Sequence, residues 1–101
     1  MSISRKVDSD KCVVIISIEG RFDFSEHRPF RDTYRDIAPG SMRFLVDLSR
    51  ADYLDSSALG MLLLLREHAG TDTGRVTIQG CTEEVRRILR IANFDRLFVL
   101  E

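Results

Sequence analysis

With 101 residues the chain can build one hydrophobic core but not two, so a single domain spanning residues 1–101 is expected. Lysine plus arginine number 15 against 16 acids, a net charge of −1, and no basic excess marks a nucleic-acid surface. The longest apolar run, Ala58 to Leu65, falls far short of the ~20 residues that cross a bilayer. The first residues lack the apolar stretch of a signal peptide, and Cys12 and Cys81 stand far apart without a C-x-x-C motif. The expected setting is cytoplasmic, with free thiols, no nucleic acid and no direct membrane insertion.

In chain order, Ile3 to Val7 reads as a short strand and Asp8-Ser9-Asp10 as a turn. Cys12 to Glu19 is a strand with apolar residues on both faces, as expected in a sheet covered on each side. Gly20 to Phe24 reads as a loop and Ser25 as the cap of a helix running from Glu26 to about Ala38. Phe30, Tyr34 and Ile37 supply its apolar face, and Pro39-Gly40 ends it. Phe44 to Leu48 is the next strand, followed by a loop and then the apolar helix. His68 falls near the carbonyl end of that helix, with Gly70 beyond it. Arg75 to Gln79 is a further strand. Thr82 then caps a helix that starts with Glu83 and Glu84 and buries Val85, Ile88, Leu89 and Ala92. Phe94 to Leu100 closes the chain as an apolar segment able to add a short strand. This order predicts an α/β fold: a mainly parallel, four- to five-stranded sheet with an N-terminal antiparallel hairpin and covering helices.

Catalytic machinery is hard to find. No G-x-S-x-G surrounds the serines, no His or Cys cluster has metal-ligand spacing, and no Walker A or G-x-G-x-x-G loop is present. His27 and His68 fall at helix ends where solvation is expected, and His68 lies roughly 18 Å from Ser56 by helical rise, too far to be its base. Asp47 sits where a phosphoacceptor aspartate would, but Glu19-Gly20-Arg21 supplies no acidic pair for Mg²⁺, so it reads as a strand-end acid. Arg86, Arg87 and Arg90 read as a solvated helix face. The expectation is a protein without enzymatic activity or cofactor.

Asp52-Tyr53-Leu54-Asp55-Ser56-Ser57-Ala58-Leu59-Gly60 is the informative stretch, because it puts acids and hydroxyls at the head of the apolar helix. With Asp55 as N-cap accepting from Ser57 or Ala58 N–H, Leu54 and Leu59 take staple positions and Ser56 becomes the first helical residue. Its hydroxyl is then free of capping. A phosphate there would add ~−1.5 to −2 charges at a terminus that tolerates anions, so the fold would survive while a docked partner felt the change.

Asp47-Leu48-Ser49-Arg50-Ala51-Asp52-Tyr53-Leu54-Asp55-Ser56-Ser57-Ala58-Leu59-Gly60 resembles the signature of STAS domains of the anti-sigma factor antagonist type. Glu19-Gly20-Arg21-Phe22-Asp23 resembles the first loop of that family, Val76 to Gly80 its fourth strand, and Val85 to Phe98 its closing helix and tail. The resemblance implies a bacterial partner-switching protein regulating transcription. It implies binding to an anti-sigma factor, often itself a serine kinase. Phosphorylation of Ser56 would switch binding off, and a metal-dependent serine phosphatase would restore it. It places Asp23, Asp55, Ser56, Ser57 and Ala58 at the partner surface. Ala58 stands where the family most often has Gly, and its methyl is expected to narrow the approach of a partner. The alternative is a STAS accessory subunit of a membrane transport complex, acting without phosphorylation.

Overall fold

In the computed structural model, which describes residues 3–101, five strands and three α-helices follow the runs of β-branched and helical-period residues. The strands are β1 (Ile3–Asp8), β2 (Val13–Phe22), β3 (Arg43–Leu54), β4 (Val76–Gln79) and β5 (Val99–Leu100). The helices are α1 (His27–Asp32), α2 (Ser56–Ala69) and α3 (Glu83–Ile91), with short 3₁₀ turns at Phe24–Glu26, Thr73–Arg75 and Phe94–Arg96. Sheet order is the sequence order; β1 is antiparallel to β2, and every other neighbouring pair is parallel. This is the predicted class and topology.

The covering is one-sided. Val14, Ile16 and Ile18 of β2, Phe44, Val46 and Leu48 of β3, and Val76 and Ile78 of β4 are buried in one cluster with the helix residues. Their alternates, Val13, Ile15, Leu45 and Thr77, remain half-buried. The expectation that β2 lies between two covering layers therefore fails. When parallel strands are laid down in sequential order, right-handed crossovers return each helix to the same side of the sheet. Leu62 and Leu65 of α2 are fully buried at the centre of the core, where truncation of one to alanine costs ~2–5 kcal/mol.

Two boundaries differ from expectation for clear reasons. Of the segments expected as loop, Gly20 to Phe22 and Ser49 to Leu54 are strand. Parallel pairing continues to Arg21↔Tyr53 and Phe22↔Leu54, across register shifts at Ser17/Glu19 and Gly20/Arg21 that absorb the polar residues. The helix expected from Glu26 to Ala38 is α-helical only to Asp32. There Thr33 turns both its N–H and its hydroxyl onto the Phe30 carbonyl, at 3.1 and 2.6 Å, tightening the last turn. Phe30 and Tyr34 are still buried as expected, and Arg5 of β1 bonds Asp36 at 2.7 Å and the Thr33 carbonyl at 3.2 Å, fastening the segment to the sheet edge.

The remaining helix signals appear as expected. Thr82 Oγ1 accepts from Val85 N–H at 3.2 Å, and Gly70 follows α2 at φ +117°. Of the α3 stripe, Val85 and Leu89 are buried, whereas Ile88 and Ala92 lie at the core margin. Asp47 bonds the backbone N–H of Ser49 at 2.9 Å, and both cysteines are free.

Two glycines give opposite tests of this packing. Gly80 sits at φ +77°, and a Cβ there would lie 2.8 Å from Ser49 Cβ and 3.1 Å from Ser49 Cα. Gly60 lies in the exposed interior of α2 with open space beside it. In urea unfolding, Gly80→Ala is expected to lose about 2 kcal/mol or more. Gly60→Ala is expected to gain ~0.5–1 kcal/mol.

Candidate functional site

Because β2 and β3 stay paired to Phe22 and Leu54, Asp23 and Asp55 leave the sheet side by side. Each caps the helical segment after it and accepts from the serine hydroxyl two residues on. Asp23 Oδ1 accepts from Ser25 N–H at 3.0 Å and from Ser25 Oγ at 2.5 Å. Asp55 Oδ1 accepts from Ala58 N–H at 3.0 Å and from Ser57 Oγ at 2.6 Å. The Asp-x-Ser turn occurs twice, and each time the middle residue takes no part in the cap. Those residues are Phe24, 69% exposed, and Ser56, also exposed. The cap of the first turn is thus Asp23 and not Ser25, whose hydroxyl is a donor to it.

The two carboxylates are held below their ordinary pKa. For Asp23 the Ser25 hydroxyl is the main cause, followed by the Ser25 N–H. For Asp55 it is the Ser57 hydroxyl and then the Ala58 N–H, opposed by the charge of Asp23 nearby. Both are therefore ionised at neutral pH. Arg21 leans on this acidic corner, 3.5 Å from Asp23 Oδ2, with its guanidinium 4.1 Å from the centroid of the half-exposed Tyr53 ring.

Asp23, Asp55, Ser56 and Ser57 thus gather at one corner of the molecule, above the ends of β2 and β3. Ser56 starts α2, as the capping register requires, whereas the Ser57 hydroxyl is engaged and half-buried. Ala58 needs correction: it is fully buried. Its methyl packs into the core beneath the serine and is closed to solvent. His68 is corrected as well, since it is half-buried with Nε2 2.6 Å from the Ile37 carbonyl.

Sequence reasoning missed the apolar surface next to the serine. Along α2, Ser56, Gly60, Leu63, Leu64 and Glu67 share the outward face, and Leu64 is 50% exposed. Phe24, stacked on His27 with centroids 5.4 Å apart, adds to it. The signal was present, because five consecutive apolar residues, Met61 to Leu65, span more than a full turn and cannot all face one core. Among the described residues no group of His, Cys, Asp or Glu could hold a metal ion, and no helix is long and apolar enough to cross a membrane.

The depressed carboxylate predicts a pH dependence. Since folding lowers the Asp55 pKa from 3.8, its stabilising contribution is complete above the unfolded value and is lost as pH falls through the folded one. Thermal unfolding scanned from pH 7 to pH 2 should show Asp55→Ala well below wild type at neutral pH. The gap should close in acid; a constant gap would contradict the ionised cap.

Comparison with known proteins shows the family and the fold. Residues 6–101 match a family model described as "Mlab, STAS domain". A STAS-domain containing protein of Pseudomonas aeruginosa is 50% identical over 98 residues, covering 97% of each chain. The fold also matches an anti-sigma factor antagonist from Mycobacterium paratuberculosis, with TM-score 0.74 and 24% identity over 98% of this chain and 85% of that one. It matches the Bacillus cell fate determinant SpoIIAA in its phosphorylated form too, with TM-score 0.73 and 16% identity over 98% and 90% of the two chains. The chain therefore belongs to the STAS-domain family and has the fold of the SpoIIAA-like anti-sigma factor antagonists.

Proposed function

We propose that the domain is an anti-sigma factor antagonist whose binding to an anti-sigma factor or serine kinase is switched by phosphorylation of Ser56. One observation carries this reading: an exposed hydroxyl, left out of its own helix cap, heads a solvent-facing apolar helix surface. The unmodified domain docks through the outward face of α2 together with Asp23, Asp55 and Ser57, and so frees a sigma factor for transcription. The chain itself is a non-catalytic regulatory module, and no cofactor is needed. The kinase transfers the terminal phosphoryl group of ATP to Ser56 Oγ, releasing ADP; a metal-dependent phosphatase uses water to return the serine and inorganic phosphate.

The electrostatics favour a switch that spares its host. A phosphate brings ~−1.5 to −2 charges to a corner where Asp23 and Asp55 are already ionised. Free N–H groups at the start of α2 offset part of that repulsion within the fold. A docked protein has no such compensation and must also accommodate the added volume.

Calorimetry with a purified anti-sigma partner should find Ser56→Ala close to wild type and Ser56→Asp about a hundredfold weaker, ~2.7 kcal/mol. Both variants should unfold within a few degrees of wild type. Equal binding by all three proteins would overturn the switch and favour an unphosphorylated scaffold role, as in a membrane transport complex.

A further inference from the structure

We propose that the groove between α1 and α2 receives an acidic amphipathic helix of the regulatory partner, the inference resting on the phosphorylation switch at Ser56. The groove encloses about 570 Å³, within the range of sites that bind ligands. Its floor is aromatic and already in place: Phe30 and Tyr34 are buried, and the Tyr34 ring packs on His68 with centroids 5.0 Å apart. The apolar surface open to an occupant is chiefly Leu64, beside a floor that is already ordered.

The walls differ in charge. On one side, Arg31 and Arg35 stand one turn apart along α1 and the turn after it, a cationic pair, with His27 one turn before them. Arg35 lies 3.5 Å from Asp32, but both side chains are more than half exposed, so this pair competes weakly for a new carboxylate. Met61 and the exposed Leu64 form the other wall, with Glu67 at its far end. Apolar residues of a helix laid in the groove would rest on Leu64, and its carboxylates would face Arg31 and Arg35. Glu67 would repel the opposite orientation. This is helix-in-groove recognition with a built-in charge register.

The serine starts one of the two helices that form the groove. α1 and α2 each follow a strand of the parallel pair β2–β3, α1 after the 3₁₀ turn Phe24–Glu26, and His27 at the head of α1 lines the groove. Ser56 stands eight residues before Leu64, ~12 Å along the helix. A phosphate at that end adds negative charge next to a negatively charged occupant. This supplies a direction for the switch: modification repels what the arginine pair attracts.

Two short synthetic helical peptides with identical leucine spacing, one carrying glutamates and one lysines, test the assignment against the full chain. In ¹⁵N-labelled protein the glutamate peptide is expected to shift the amides of Arg31, Leu64 and Glu67, and to bind at least about tenfold more tightly than the lysine peptide. The double variant Arg31→Glu/Arg35→Glu should reverse that preference without moving the thermal midpoint, since both side chains are exposed. Equal affinities, or shifts mapping elsewhere, would overturn the groove. The two readings can fail separately. If Ser56→Asp leaves both the glutamate peptide and a purified anti-sigma partner bound as tightly as before while the charge preference persists, the groove stands and the serine switch falls. If Ser56→Asp weakens a purified anti-sigma partner that the arginine variant binds normally, the groove falls and the switch stands.

Discussion

Parallel pairing of β2 with β3, carried to Phe22 and Leu54, decides where the features of the serine surface lie. It delivers Asp23 and Asp55 to the same corner and starts two successive helical segments from adjacent points. Each aspartate then spends its Oδ1 on the hydroxyl and backbone two or three residues ahead. The residue between is left facing solvent. Ser56 is accessible because Ser57 and Ala58 satisfy the cap, so exposure of the hydroxyl and stability of α2 are consequences of one arrangement.

The same arrangement sets the electrostatic tone. Two carboxylates that remain ionised at neutral pH stand beside a helix terminus that attracts anions. Below the corner the chain retains features that stability alone disfavours. Gly60 occupies an exposed helix-interior position with room for a side chain, and Leu63 and Leu64 face water.

Most of the architecture is legible from short-range chemistry. Asp55 and Thr82 cap their helices as their spacing implies, and Gly70 takes the positive φ expected after α2. Local composition misleads where tertiary pairing overrides it. Ser49 to Tyr53 looks like a polar loop, yet it is strand because β2 pairs with Arg50, Ala51 and Tyr53 across two register shifts. Val13 and Ile15 suggest a second covering layer, since periodicity records that a residue is apolar but not how strand order distributes the helices. Ser25 resembles a cap because a hydroxyl can serve as donor or acceptor, and only the position of Asp23 decides between them. Ala58 sits in the signature, but its direction depends on helix phase, which turns it into the core. The groove between α1 and α2 is beyond reach of the sequence, because its walls come from two helices whose separation is set by the sheet.

The most direct test uses the modified protein itself: domain stoichiometrically phosphorylated at Ser56, compared with unmodified domain for binding to an anti-sigma partner and, in the same samples, for thermal unfolding. Affinity is expected to fall about a hundredfold while the unfolding midpoint moves by no more than a few degrees. Undiminished affinity would contradict the switch, and loss of binding together with loss of the folded state would show that the phosphate acts on the host and not on the interface.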